Sequence, residues 1–349
     1  MSASSVANTF PPYFSYLAVA GASGLGLAFP GVAPAVLGPI LVVGLVVLGL
    51  AHGACDQLVL PATGQIRRGQ RAYLGRFVLG YLGLAAAAGL GWWHWPGVAV
   101  GLFFLLTAWH WGSADAPAQP GQPLLWLAHS LLRGALLFAV PARWWPAETQ
   151  HSVNGLLAFA GAAPLGPAWS AGAVPGLWLL VGAGHLALWA CYAKRREIRR
   201  LRTDAGEVLL LTVLFLAVPP LLALGVYFVF WHSLRHMLRL NRVFGYEALG
   251  GHRRAWATLG REVAFFIRRA FPLLLVSLAV PAGLYLLVPA RLAARDTLLG
   301  IAVLTAAILT LPHALLVSVA LDAGNWRAGK NKPKIGGGNS AAQLLRETS

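Results

Sequence analysis

The sequence predicts an all-α fold: a polytopic transmembrane helical bundle of about ten spans (range about 8–10), with both termini cytoplasmic. Three observations carry that prediction. Hydrophobic residues make up 58% of the 349 residues and charged residues only 11%, where soluble proteins carry about a quarter charged. Mean hydropathy is +0.66, and apolar runs of about 20 residues recur along the chain, each able to cross about 30 Å of hydrocarbon. None of these runs has the ten-residue alternating pattern of a membrane β-barrel.

In chain order the spans are expected near residues 13–30, 36–60, 74–95, 97–114, 123–141, 173–193, 206–222, 223–240, 272–289 and 297–321. The seventh and eighth form one nearly continuous run interrupted by Pro219-Pro220, read either as a tight turn or as a kink. A first segment, 1–12, has no basic residue ahead of the first apolar run, so a cleaved signal peptide is not expected. Residues 13–322 are expected to form the membrane domain and 323–349, rich in Gly, Lys, Asn and Ser, a disordered basic tail.

Orientation follows from the basic residues. The +16 charge does not point to nucleic acid, because it is confined to alternate loops. Arg67, Arg68, Arg71 and Arg76 follow the second span, and Lys194, Arg195, Arg196, Arg199, Arg200 and Arg202 the sixth. Arg239, Arg242, Arg253, Arg254, Arg261, Arg268 and Arg269 follow the eighth, and Arg327, Lys330, Lys332, Lys334 and Arg346 lie in the tail. The opposite loops hold only Arg143, Arg291 and Arg295. The positive-inside rule places the rich side in the cytoplasm. The stretch 241–270 mixes arginines with Phe244, Trp256, Phe265, Phe266 and Ile267, the make-up of a helix lying on anionic lipid or of a solvated connector. A short interfacial helix is expected at 153–163. Glycines such as Gly80, Gly83, Gly89 and Gly91 are expected to mark closely packed helix backbones. Two cysteines, Cys55 and Cys191, imply neither a disulfide framework nor a thiolate metal site.

Histidines carry the chemistry. His232 and His236 are four apart, hence on one face of a helix, within Phe228-Val229-Phe230-Trp231-His232-Ser233-Leu234-Arg235-His236. His52, His110, His185 and His313 fall at a matching height, roughly 6–13 Å below the cytoplasmic interface at 1.5 Å per residue, and His129 is close to it. His94, His151 and His252 do not. A single buried histidine is ordinarily a packing residue; a layer of them points to a shared site towards the inner leaflet. Asp56 follows His52 by one turn and Asp115 follows His110 by five residues; each is a candidate to accept a hydrogen bond from the second nitrogen of a ligating imidazole, with pairing to Arg235 or simply marking a helix end as the plain alternatives. Arg235 is otherwise a snorkelling residue. Imidazole suits iron, copper, zinc and nickel. Trp109, Trp111, Phe230 and Trp231 are candidates to line a cavity for a large apolar ligand.

His52-Gly-Ala-Cys-Asp56, His110-Trp-Gly-Ser-Ala-Asp115, Trp231-His-Ser-Leu-Arg-His236 and Pro312-His313 together resemble the Brp/Blh family of membrane beta-carotene 15,15'-dioxygenases, over nearly the whole chain. Cys55 and Leu234 depart from the leucine and proline expected in many members; neither is a candidate ligand. The resemblance implies an oxidoreductase of the inner membrane that cleaves the central double bond of beta-carotene with O2, giving two molecules of all-trans-retinal. It implies Fe(II) held by His52, His110, His232 and His236. From the residues themselves, Asp56, Asp115 and Arg235 are expected beside these ligands, and His313 behind them or facing the substrate. Implied partners are beta-carotene, O2, the lipid bilayer and a rhodopsin receiving retinal, with no nucleic acid. Two other classes compete. A transporter of a divalent metal or lipid-like compound would use helix breaks at a midplane site, and a haem electron carrier would need only two of the histidines.

Overall fold

Proline opens helix after helix. Its missing N–H costs nothing in the first turn, where backbone donors have no intrahelical acceptor, and Pro96, Pro123, Pro146 and Pro220 all stand there. The computed structural model describes residues 13–64, 71–119, 121–166, 169–246, 256–287 and 295–326. Its helices are α1 (Tyr13–Ala28), α2 (Ala33–Gly53), α3 (Asp56–Ala62), α4 (Arg71–His94), α5 (Pro96–Asp115), α6 (Pro123–Trp144), α7 (Pro146–Phe159), α8 (Val174–Lys194), α9 (Ile198–Ala217), α10 (Pro220–Val243), α11 (Trp256–Leu287), α12 (Arg295–Ala320) and the turn α13 (Ala323–Trp326). No strand occurs among the described residues. Segment 1–12 and the tail beyond Trp326 lie outside them, as do Arg67, Arg68, Arg253 and Arg254.

Among the described residues, six helices are long and apolar enough to cross a membrane: α2, Ala72–His94 of α4, α5, α6, Ala171–Lys194 running into α8, and α10. Helix α1 and Leu304–Ala320 of α12 are shorter apolar helices. The first half of α9 carries Arg199, Arg200, Arg202, Asp204 and Glu207, so only its second half is apolar. Leu79, Leu90, Trp93, Leu102, Leu124 and Leu179 stand exposed on the outside of the bundle. An apolar coat of that extent is a surface for lipid rather than water. The chain is thus an all-helical, polytopic membrane protein.

At Pro219-Pro220 the chain breaks rather than kinks. A proline drives the residue before it out of the α region. Val218 (φ −127°, ψ 136°) and Pro219 (φ −53°, ψ 146°) are accordingly extended and separate α9 from α10. The interfacial helix expected at 153–163 is α7, which already begins at Pro146. Of the basic stretch 241–270, the part from Trp256 belongs to α11, which runs unbroken to Leu287 and carries Arg261, Arg268 and Arg269 near its head.

The glycines that bring helices together are not those of α4. Gly80, Gly83 and Gly91 have open space where a Cβ would stand, and Gly89 would make an ordinary 3.7 Å contact with Ile308. The close crossing is α5 on α6. A Cβ on Gly112 would lie 1.7 Å from the Ser130 carbonyl oxygen, and one on Gly134 would lie 1.7 Å from that of Ala108. Gly44 and Gly225 likewise let α2 and α10 approach, each against the other helix's Val229 or Leu41 side chain.

A buried ionic network ties α5, α6, α9 and α10 together. Arg133 of α6, 1% exposed, donates through Nη2 to Asp204 Oδ1 at 2.7 Å and Glu207 Oε2 at 2.8 Å. Arg235 of α10 reaches Glu207 at 3.2 Å and Asp115 at 3.6 Å. Tyr16 donates to Glu207 at 2.7 Å and Trp189 to Asp204 at 2.6 Å. Breaking one side of a buried ion pair costs about 3–5 kcal/mol, because the remaining charge is left uncompensated. Arg133→Met should therefore lower the Tm of the detergent-purified protein by roughly 5–10 °C; an unchanged Tm would show that the two carboxylates do not need the guanidinium.

Candidate metal centre

Two of the helices that carry histidines have a widened turn where they meet the site. In α2, Leu45–Leu50 is a π turn directly ahead of His52, and in α10 the π turn Tyr227–Ser233 contains His232. An α-helix carries residue i+4 about 40° past a full turn, so three residues spaced by four spiral away from a straight row. A π turn, closed by i→i+5 bonds, rotates each residue less and cancels part of that drift. Phe228, His232 and His236 consequently form one stack, with Phe228 and His232 at 5.9 Å and 15°, and His232 and His236 at 6.2 Å and 5°.

Four helices then converge. His52 of α2 lies 5.8 Å from His232 and 5.5 Å from His236, ring centre to ring centre. His110 of α5 lies 5.2 Å from His232. His313 of α12 lies 5.0 Å from His52, 5.0 Å from His110 and 5.7 Å from His236. All five side chains are buried. His52 directs Nδ1 to the Leu48 carbonyl oxygen at 3.2 Å, as a donor in the Nδ1–H tautomer. Buried Nε2 atoms of His110, His232, His236 and His313 have no hydrogen-bond partner among the described residues, nor does Nδ1 of His232. Several buried nitrogens left without partners in one place ask for a common electrophile.

The spacing suits a metal ion. A metal–imidazole bond of about 2.0–2.1 Å puts a ring centre roughly 3.2 Å from the ion, so two ligating rings sit roughly 4.5 Å apart at right angles and 6.4 Å when opposed. The ring pairs here, from 5.0 to 6.2 Å, fall inside that window. Among the described residues no three His, Cys, Asp or Glu donors are closed around one point at ligand distance, so the five rings form a loose cage.

The surrounding carboxylates divide between two tasks. Asp56 accepts from His313 Nδ1, which is 2.9 Å from both its oxygens, and from the Tyr81 hydroxyl at 3.0 Å. Asp115 instead accepts from Trp231 Nε1 at 3.0 Å and the Tyr227 hydroxyl at 3.1 Å, beside Arg235. Arg235 lies over the Trp231 ring, 3.6 Å from its centre. His129 and His185, at the same height in sequence, turn away. His129 contacts Tyr192 at 2.8 Å and Asp204 at 2.9 Å, while His185 contacts the Val181 carbonyl and packs on Trp189.

The aromatic candidates separate as well. Trp111 flanks His232 at 5.9 Å. Trp109 packs on Trp326, Trp231 belongs to the ionic network, and Phe230 is half-buried against the apolar core. Phe228, not singled out as lining from sequence, touches His52 at 5.8 Å, His232 at 5.9 Å and Trp111 at 5.6 Å. Its place four residues before His232 was the available signal. Arg133, Asp204, Glu207 and Tyr81 were also missed, although a charge within an apolar span is itself a marker.

Five imidazoles held at one level inside a helical membrane bundle define a membrane-embedded polyhistidine centre. Comparison with known proteins gives the class its family. A profile of the family described as beta-carotene 15,15'-dioxygenase matches residues 43–320, a range that takes in all five histidines. A probable beta-carotene 15,15'-dioxygenase, Blh, of Halobacterium salinarum is 33% identical over 295 residues, covering 80% of this chain and 82% of the relative. A beta-carotene 15,15'-dioxygenase from uncultured marine bacterium 66A03 is 27% identical over 279 residues, 78% of this chain and 90% of that one. The probable dioxygenase Brp of Halobacterium salinarum is 24% identical over 328 residues, 86% of this chain and 88% of that one. No solved structure matches. The chain belongs to the beta-carotene 15,15'-dioxygenase family, and is a carotenoid dioxygenase.

Proposed function

We propose that residues 13–322 form a catalytic domain that cleaves beta-carotene at its 15,15' double bond with O2, yielding two molecules of all-trans-retinal, with Fe(II) held by His52, His110, His232 and His236. The convergence of buried imidazoles, with nitrogens lacking partners, is the observation that carries this reading. The reaction balances on its own: one carbon–carbon double bond and the O–O bond break, each central carbon takes one oxygen, and no external reductant is needed. Bound Fe(II) supplies a place for O2 to be activated beside the polyene. Everything else falls to the protein.

The polyene is about 30 Å of apolar chain, offering no polar handle, so the cleaved bond is selected by where the chain lies. Trp111 and Phe228 flank His232. Trp111 stacks on Phe138 at 6.4 Å, and Phe138 meets Phe104 at 5.3 Å, a run of rings leading from the imidazoles along α5 and α6. One half of the polyene lies along that run, and the surrounding apolar walls keep water from the reacting carbons. The substrate comes from the bilayer of the cell membrane, the histidines face its cytoplasmic leaflet, both termini are cytoplasmic, and retinal passes on to a rhodopsin.

Expression of the full chain in a beta-carotene-accumulating bacterial host tests the reading. Loss of orange colour with extractable retinal is the expected result. Unchanged carotene alongside correctly inserted protein would overturn it, and apocarotenals of unequal length would place the cleaved bond elsewhere.

A further inference from the structure

We propose that His313 is a fifth imidazole ligand of this centre, and that Asp56 holds it in the ligating tautomer. The inference rests on the metal reading above and extends it to residues of α12 and α3.

His313 meets three of the other four rings, His52, His110 and His236, at 5.0, 5.0 and 5.7 Å. Its Nδ1 lies 2.9 Å from both oxygens of Asp56. A carboxylate accepts and cannot donate unless protonated, so Nδ1 carries the hydrogen and the Nε2 lone pair is left free. That Nε2 is buried and has no hydrogen-bond partner among the described residues. Tyr81 of α4 donates to Asp56 Oδ2 at 3.0 Å and fixes the carboxylate in turn. A carboxylate behind an imidazole is the arrangement that orients metal-binding histidines and makes them better donors.

His129 and His185 supply the contrast. Both are buried at similar sequence height, yet among the described residues neither ring packs on any of the five clustered imidazoles, and their contacts are Tyr192, Asp204, Trp189 and a backbone carbonyl. Neither depth nor a carboxylate neighbour alone recruits a histidine, since His129 has Asp204; His313 combines Asp56 on Nδ1 with three imidazoles around its ring. Asp56 opens α3 four residues after His52, so one short stretch provides a ligand and the orienting carboxylate of another. The pair also docks α12 on that stretch, across 257 residues of sequence.

The test uses full-length protein in detergent, stripped with a chelator and titrated with Co(II), whose visible absorption bands strengthen as the number of ligands falls. Wild type, His313→Gln, Asp56→Asn and His232→Ala are compared, with secondary structure checked by circular dichroism. The expected result is that His313→Gln still binds Co(II), with stronger visible bands than wild type and lower affinity. Asp56→Asn should weaken Co(II) binding about 10–100-fold. If His232→Ala loses Co(II) while His313→Gln keeps the wild-type spectrum and affinity, the centre stands and His313 is no ligand. Failure of wild type to bind Co(II) would overturn the metal reading itself, and this inference with it. Should His313→Gln not accumulate, Asp56→Asn decides alone, and an unchanged affinity and spectrum overturn the proposal.

Discussion

His232→Ala is expected to leave the protein inserted in the membrane but to reduce retinal formation at least about 100-fold. Residues behind a ligand typically cost 10–100-fold in metal affinity or activity when removed, so a ligand should cost no less than the upper end. His232 also bridges His52 and His110, at 5.8 and 5.2 Å, and neither of its nitrogens has a hydrogen-bond partner among the described residues. Iron content and retinal yield are measured together on the purified variant. Wild-type turnover from protein confirmed to lack iron would sink the iron mechanism.

Gly134→Ala is expected to lower the accumulation of folded protein sharply, without touching an ionisable group. Its Cβ would be placed 1.7 Å from the Ala108 carbonyl oxygen and 2.6 Å from Ala108 Cα, and backbone atoms cannot rotate out of the way. Helix α5 must move off α6, and His110, two residues on from Ala108, must move with it. Overpacking commonly costs about 1–3 kcal/mol, and a rigid backbone collision belongs at or above the top of that range. Gly91→Ala, which meets nothing within 4 Å, is the control. Yield and Tm in detergent give the comparison, and equal values for the two variants would contradict the crossing described here.

The membrane class was legible in the sequence because apolar runs of bilayer length are a local signal. Helices α5 and α6, expected at 97–114 and 123–141, run Pro96–Asp115 and Pro123–Trp144. Rotation about a helix axis was harder to read. Trp109 and Trp111 differ by two residues, hence by about 200° of helix, and only Trp111 meets His232. Trp231 is one residue, about 100°, from His232 and joins the ionic network instead. Height along the axis likewise grouped His129 and His185 with the others, although their helices turn them elsewhere.

The glycines show the same limit. Small residues suit both a helix crossing and an outer surface, so composition alone did not separate Gly112 and Gly134 from Gly80 and Gly83. The π turns left no periodic trace, since one wide turn shifts the phase of a helix without changing its apolar character.

Helix α10 carries imidazoles on one side and, a single residue round, Trp231 and Arg235 tied to Asp115 and Glu207. Those ties act as a rotational lock. Rolling α10 enough to change the angle between His232 and His236 and their neighbours would pull Trp231 and Arg235 off their carboxylates. The orientation of the two imidazoles is thereby set by the charges of α5 and α9, and a charge-neutral substitution at Asp115 or Glu207 would retune the centre without altering any histidine.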